Sequence, residues 1–180
     1  MSTKHRLVAL LGAGLTVVAL TAASVGSASA DNGVRRIELT DDCDPATFNA
    51  AIGPGTCVGD GETTFDQFLK QLSPTHVPED WAFDPSRATV KAGQKVIAKN
   101  VGGETHTFRC VTQFGGGIVP FLNARGGFNT PAVLCAGETF GASAIPSGGQ
   151  LAVTIGSSPT AMYECLIHPW MRTTLRVRGD

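Results

Sequence analysis

The sequence contains little charge and has no cluster of basic residues. Only 16% of its 180 residues are charged, and 14 basic side chains nearly balance 15 acidic ones. A protein that binds nucleic acid neutralises phosphates with a concentrated basic patch, and the sequence shows no such run. We therefore predict no nucleic-acid partner.

Long apolar runs are also missing, apart from one near the N-terminus. Lys4 and Arg6 precede an apolar stretch over residues 7–23, and small residues follow it up to Ala30. This order is typical of a secretory signal peptide with its cleavage site. We predict cleavage near Ala30 and an extracytoplasmic location, periplasmic or secreted, with no integral membrane span after cleavage. An uncleaved membrane anchor is the alternative.

Helical periodicity is scarce in the remaining chain. Residues 31–180 carry 12 basic and 15 acidic side chains, a formal net charge of −3, and are enough for one domain with its own core. Short alternating apolar runs between Gly- and Pro-rich turns indicate an all-β sandwich or barrel. The exception is residues 64–72, where apolar side chains share one helix face and Thr64 and Gln67 have the spacing of a capping box. We predict an N-terminal extension over residues 31–80, with this one short amphipathic helix, and a β domain over residues 81–180.

The five cysteines are an odd number, so at least one has no disulfide partner within the chain. We predict the disulfides Cys43–Cys57 and Cys110–Cys135, which leave Cys165 free. The sequence does not fix this connectivity, and a bridged Cys165 is the alternative.

Two polar segments could be mistaken for ligand sites. Asp41, Asp42 and Asp44 lack the ordered spacing of a calcium loop, and we interpret them as part of a solvated turn. The Gly-rich residues 113–135 could cradle phosphate only between a strand and a helix, and neither is apparent from the sequence. We interpret them as a long surface loop.

One segment contains three side chains of the types that bind copper in proteins. Cys165, His168 and Met171 follow one another at three-residue spacing, between two strand-like runs. A type 1 copper site consists of a thiolate, two imidazoles and a weak axial thioether. His106, near an upstream strand-like run, would supply the second imidazole. We predict these four residues as the ligands of one copper ion.

Two other chemistries use some of the same residues. Zinc also accepts Cys and His, but we see no neighbouring carboxylate or second Cys that would complete a tetrahedral set. A nucleophilic Cys165 assisted by His168 would need an orienting acid and an oxyanion arrangement, and the sequence suggests neither. We therefore predict that the protein is not an enzyme.

The segment Cys165-Leu166-Ile167-His168-Pro169-Trp170-Met171 resembles the ligand loop of the cupredoxins, the small blue copper proteins, and its spacing is similar to the amicyanin type. The pattern from Phe83 through Asn100 to His106 is also similar, so the resemblance covers roughly residues 81–178. It implies a Greek-key β sandwich. It also implies a carrier of single electrons that meets redox protein partners transiently, and we expect a monomer.

The resemblance also implies roles for residues around the metal. Asn100 would tie the two ligand loops together by hydrogen bonds, within reach of the Cys165 sulfur. His168 would lie near the surface as the exit for the electron, with Pro169 and Trp170 as an apolar docking patch. Thr107 departs from the family, since many members have Asn after this His. The alternative function is copper storage, delivery or sensing without redox cycling.

Overall fold

A computed structural model describes residues 33–139 and 144–179, so the predicted signal peptide lies outside the described residues. Among the described residues, no helix is long and apolar enough to cross a membrane. The elements in chain order are β1 (Val34–Thr40), α1 (Pro45–Ala51), α2 (Phe65–Gln71), β2 (Ala82–Asp84), β3 (Arg87–Lys91), β4 (Lys95–Asn100), β5 (His106–Thr107), β6 (Arg109–Gln113), α3 (Pro120–Gly126), β7 (Val133–Leu134), β8 (Ala144–Ile145), β9 (Gln150–Thr154), β10 (Thr160–Glu164) and β11 (Arg172–Arg178).

Two β sheets form a sandwich around one hydrophobic core. The first sheet has the order β2-β1-β4-β9 and the second β3-β11-β10-β6-β7, while β5 and β8 form a short separate pair. The core contains apolar side chains from both sheets, including Ile37 and Val96 of the first and Val90 and Leu175 of the second. Strands β1 and β4 run parallel, as do β3 and β11, and their neighbours pair antiparallel. The predicted all-β sandwich is confirmed.

Strand β1 lies inside the first sheet, although its sequence belongs to the predicted N-terminal extension. It pairs with β2 on one side and with β4 on the other. Ile37 and Leu39 are fully buried, because alternate residues of an interior strand point into the core. The described residues, 33–139 and 144–179, cluster as one compact unit. The boundary that we expected near residue 80 therefore does not separate two bodies.

The predicted helix is present as α2, with Thr64 and Gln67 forming the capping box. The prediction of a single helix was wrong, since α1 and α3 are also present. Asp44 caps α1 by accepting hydrogen bonds from the amides of Ala46 and Thr47, and Pro45 occupies the first turn. That pairing of Asp and Pro is a helix signal that we had interpreted as a turn.

The segment that we interpreted as a long surface loop contains α3 and β7. It follows β6, so a strand does precede the Gly-rich run and a helix does follow it, contrary to our expectation. Helix α3 has no side-chain cap at its start, and Pro120 in its first turn is its only start signal in the sequence. It ends at Gly127, whose φ of 74° lies in the left-handed region that glycine adopts readily.

Both predicted disulfides are present in the structure, Cys43–Cys57 and Cys110–Cys135, and Cys165 is free and buried. The first lies beside the turn that precedes β5. A side chain at Gly103 would collide with the Val58 carbonyl oxygen and approach the Cys43 sulfur to 2.7 Å, so only glycine allows this contact. The disulfide loop therefore packs directly against the segment that carries His106.

Candidate metal centre

Three of the four predicted ligands meet at one end of the sandwich. His106 is the first residue of β5, Cys165 follows β10 directly, and His168 lies in the turn between β10 and β11. His106 Nδ1 lies 3.9 Å from Cys165 Sγ and 3.3 Å from His168 Nδ1. Ligand atoms of all three residues lie within 4.8 Å of one another. Their exposed fractions are only 0%, 0% and 2%, so water has almost no access to the cluster.

Met171 is the fourth predicted ligand, and its backbone closes the turn. The Cys165 amide donates a hydrogen bond to the Met171 carbonyl (3.0 Å), and the Met171 amide donates one to the His168 carbonyl (2.9 Å). The Met171 side chain is fully buried. These bonds hold Met171 at the same end of the sandwich as the cluster, and its role as axial ligand stays a prediction.

The ring of His106 is oriented by Asp41, a residue that we had placed in a solvated turn. That interpretation was wrong, because the Asp41 carboxylate is 0% exposed and its Oδ2 accepts a hydrogen bond from His106 Nε2 (2.8 Å). The carboxylate also accepts from the amides of Gly103 (2.9 Å) and Glu104 (3.0 Å). Because Nε2 donates to Asp41, Nδ1 faces the cluster, and its lone pair becomes available to a metal when the ring loses its second proton.

The ring of His168, like that of His106, has a carboxylate near its Nε2 atom. Its Nε2 lies 3.4 Å from Glu104 Oε2, which also accepts a 2.6 Å hydrogen bond from Trp81 Nε1. Both imidazoles thus turn Nδ1 toward Cys165 and Nε2 toward an acid. These two carboxylates, of Asp41 and Glu104, lie behind the rings and are not among the converging ligand atoms of His106, Cys165 and His168, so neither completes a tetrahedral set with them.

The charges of the cluster stabilise a thiolate at Cys165. Burial alone raises the pKa of this thiol, but hydrogen bonds and charge from His106 and His168 outweigh burial and hold the pKa well below its usual value. Burial likewise lowers the pKa of His106, yet Asp41 and Cys165 raise it to about 9. The pKa of Asp41 is lowered despite its burial, because His106 and two amides favour the charged carboxylate. The metal-free cluster therefore holds the deprotonated sulfur that a soft metal requires.

Thr107 connects the two ligand segments, the role that we had expected of Asn100. The Thr107 amide donates to Cys165 Sγ (3.4 Å), and the Thr107 hydroxyl accepts from the Leu166 amide (2.7 Å). The buried Asn100 instead donates to the carbonyls of Glu104 (2.7 Å) and Ile145 (2.8 Å). It therefore supports the turn before His106 but makes no hydrogen bond to the segment 165–171.

His168 is covered, so the electron exit that the resemblance implied is closed. The ring of Phe68 in α2 lies 6.2 Å from the His168 ring, and the Trp170 ring lies 5.4 Å from it on another side. Pro169 is buried and Trp170 is half-buried. The predicted apolar docking patch is therefore not exposed, because α2 and its neighbours pack over it.

The Gly-rich segment also packs against the ligand loop. The Ile118 amide donates a 2.7 Å hydrogen bond to the Leu166 carbonyl, next to Cys165. A Cβ at Gly117 would overlap that same carbonyl, so the close approach requires glycine. The segment therefore forms part of the wall of the site.

Comparisons with known proteins find similar solved structures among the cupredoxins. The purple cupredoxin from Nitrosopumilus maritimus is 12% identical with a TM-score of 0.43, covering 80% of this chain and 99% of that one. A mutant amicyanin in its reduced Cu(I) form at pH 4 is 16% identical with a TM-score of 0.36, covering 59% and 90%. The oxidised plastocyanin from Dryopteris crassirhizoma is 18% identical with a TM-score of 0.38, covering 60% and 96%. No family model and no curated protein matches the sequence.

The fold itself is a two-sheet β sandwich. Two sheets of mixed strand direction enclose the core, and the buried His106, Cys165 and His168 lie at one end, between β5 and the turn that joins β10 to β11.

Proposed function

We propose that the chain is an exported type 1 copper protein that carries single electrons between redox partners. The observation that carries the proposal is the buried convergence of His106 Nδ1, His168 Nδ1 and Cys165 Sγ. A thiolate with two imidazoles is the donor set that copper prefers in electron-transfer sites. Export rests on the N-terminal sequence, which resembles a signal peptide.

The residues present fit one copper ion. His106, Cys165 and His168 would hold it through two imidazoles and a thiolate, and Met171 would add a thioether. The ion supplies a one-electron couple when bound. The chain contributes a fixed geometry, since Asp41 orients His106 and Thr107 joins the two ligand segments. Such a geometry changes little between two metal charges, which favours fast electron transfer.

Burial of the site contributes a second property, the exclusion of water. The three ligand side chains are almost fully inaccessible, and aromatic side chains of α2 and of the ligand loop cover His168. A dry site keeps the thiolate away from solvent oxidants. Partners would meet this protein transiently, through the small interfaces that suit carriers. We propose no enzymatic activity.

One observation favours a second function, copper storage or delivery without redox cycling. His168 is 2% exposed, so no ligand edge lies at the surface to pass an electron to a partner. A buried soft site would suit a protein that holds copper and releases it slowly.

Electrochemistry of the copper-loaded protein separates the two functions. An electron carrier gives fast, reversible one-electron exchange at an electrode, whereas slow or irreversible exchange would support storage. Cys165→Ser serves as the control for the site, since it removes the thiolate and with it the strong visible sulfur-to-copper absorption. If that absorption persists in the Ser variant, the ligand assignment is wrong.

A further inference from the structure

The outer face of the second sheet carries a row of positive charges that extends away from the metal centre. Strands β3 and β11 are parallel neighbours, and their outward side chains from Arg87 and Thr174 onward are basic residues and threonines. The basic side chains are those of Arg87, Lys91, Arg176 and Arg178, and all four are exposed. We call these four residues, together with Arg35 of β1, the basic strip.

Part of the strip forms a shallow depression of about 830 Å³. Its charged lining consists of Arg35, Arg87 and Arg176, with hydroxyl groups from Thr89, Thr160 and Thr174, and none of the described residues that line it is acidic. Arg87 pairs with Thr174 and Arg176 with Thr89, so the two arginines are diagonal neighbours, about 7–8 Å apart at their backbones. Two flexible guanidinium groups at this spacing can reach one oxyanion together.

A second depression continues the strip and shares Thr89 with the first. Its charged lining is Lys91 and Arg178, and again no acidic residue of the ranges 33–139 and 144–179 lines it. Lys91 and Arg178 stand directly opposite each other in the strand register. Like charges at paired positions repel and destabilise a sheet, so folding alone gives no reason for this pair. An anion bound between them would remove the repulsion.

None of the five basic side chains forms an ion pair or a side-chain hydrogen bond within residues 33–139 and 144–179. The chain after residue 30 is nevertheless acidic overall, with 12 basic and 15 acidic side chains. The concentration of positive charge on one face is therefore a local feature. It arises from three strands that are distant in sequence, which is why the sequence shows no basic run.

We propose that the basic strip binds an acidic polysaccharide, a sugar polymer that carries carboxylate or sulfate groups. The alternating arginine and threonine side chains offer charge to the oxyanions and hydroxyl groups to the sugars. The two adjoining depressions fit an extended chain better than a single ion.

Two other anionic partners fit the face less well. The exposed large apolar side chains of the described residues are Ile52, Val58, Val101, Ile118, Phe121 and Val133, and none of them lies on the strip. A membrane surface is usually bound with apolar side chains that enter it, and a single nucleic-acid strand with aromatic side chains on which bases stack. The strip offers neither.

The position of the strip explains how binding would serve the protein. Strand β11 leaves the metal centre after Met171 and ends at Arg178, about 23 Å farther along at the usual rise per residue. Attachment through the strip would therefore hold the protein on an anionic envelope or matrix polymer and leave the metal end accessible. This binding does not depend on the proposed copper.

The test is calorimetric titration of the purified protein with dextran sulfate, polygalacturonate and uncharged dextran. We expect the two acidic polymers to bind, uncharged dextran not to bind, and added salt to weaken the binding. The double variant Arg87→Gln/Arg176→Gln should weaken it about tenfold or more, because charge-assisted hydrogen bonds are lost. Lys91→Gln/Arg178→Gln is a second variant of the same strip.

The matched control is Arg36→Gln/Lys95→Gln, which removes the same charge from exposed positions on the first sheet. We expect this control to bind like the unchanged protein. Equal loss of binding in control and strip variants would overturn the proposal, as would equal binding of uncharged dextran. Tighter binding of anionic lipid vesicles or of duplex DNA than of either acidic polymer would also overturn it.

Discussion

The two segments that form the metal cluster are held in place by different means. Residues 165–171 are closed by their own backbone, through hydrogen bonds from Cys165 to Met171 and from Met171 to His168. His106 depends on residues from elsewhere, since Asp41 of the chain after β1 orients its ring. The loop 165–171 can thus be recognised from the spacing of its ligand residues in the sequence. The orientation of His106, in contrast, is set only in the assembled fold.

The two segments also differ in the residues that surround them. The ligand loop is covered by α2 and by the Gly-rich segment, whereas His106 lies against the turn that Asp41 holds. The region before residue 81 therefore does two things for the centre. It supplies a carboxylate behind His106 and an aromatic cover over His168.

The largest expected effect concerns that cover. Phe68→Ala removes a ring that is 2% exposed and contacts both Trp81 and His168, so it should lower the free energy of unfolding by about 3–5 kcal/mol. Phe121→Ala is the matched control, since its ring is 54% exposed and its loss should cost less than about 0.5 kcal/mol. Denaturant unfolding measures both. Equal small losses would mean that α2 does not pack on the site.

The next effect concerns the bridge between the two segments. Thr107→Val keeps the shape of the side chain but leaves the buried Leu166 amide without its acceptor, which should cost about 1–3 kcal/mol in unfolding. Thr107→Ser retains the hydroxyl and should recover most of that loss. If Val and Ser variants are equally stable, the hydroxyl does not join the segments.

A smaller effect on stability is expected at Asp41, because substitution by Asn removes the negative charge but keeps a side-chain oxygen that accepts hydrogen bonds. Asp41→Asn should lower metal affinity about 10- to 100-fold, as changes behind a metal-binding histidine generally do. In the metal-free protein the pKa of His106 should fall from about 9, and the pKa of Cys165 should rise because its cationic neighbour is weakened. The ultraviolet absorbance of the thiolate at neutral pH should therefore decrease. Unchanged thiolate absorbance would show that Asp41 does not control the pair.

The same substitution has a defined pH dependence. The pKa of His106 is raised from 6.5 to about 9, so its contribution to stability is complete below pH 6.5 and is lost as pH rises through about 9. The pKa of Asp41 is lowered from 3.8, so its contribution is complete above pH 3.8 and is lost at lower pH. In metal-free protein, Asp41→Asn should therefore cost most between pH 3.8 and 6.5, as measured by unfolding at several pH values.

The sequence was sufficient for the sandwich, for α2 and for at least one free cysteine, because each has a local or countable signature, whereas the two disulfide pairings needed the structure to fix them. Alternation marked the strands, the pair Thr64 and Gln67 marked the helix start, and an odd number of cysteines marked a free thiol. The place of β1 could not be predicted in this way, since Ile37 and Leu39 alternate alike in an edge or an interior strand. Only the register with β4 distinguishes them.

The sequence predicted only part of the metal cluster, again because only some of its residues have a local signature. Cys165, His168 and Met171 share one short motif, and the need of a type 1 copper site for a second imidazole added His106. Asp41 and Glu104 carry no motif, and they reach the histidines only after β1 and β4 pair. The role of Thr107 could have been predicted from the sequence, because it follows His106 directly and its hydroxyl can replace the side-chain amide of the Asn that many cupredoxins have there.

The proposed copper site is tested most directly by adding Cu(II) to the purified, metal-free protein and recording the visible and electron paramagnetic resonance spectra. The structure predicts one equivalent of copper, a strong visible sulfur-to-copper absorption and narrow copper hyperfine splitting, all lost in Cys165→Ser. A colourless protein that binds only zinc, or a copper spectrum unchanged in Cys165→Ser, would contradict the assignment of His106, Cys165 and His168 as a type 1 copper site.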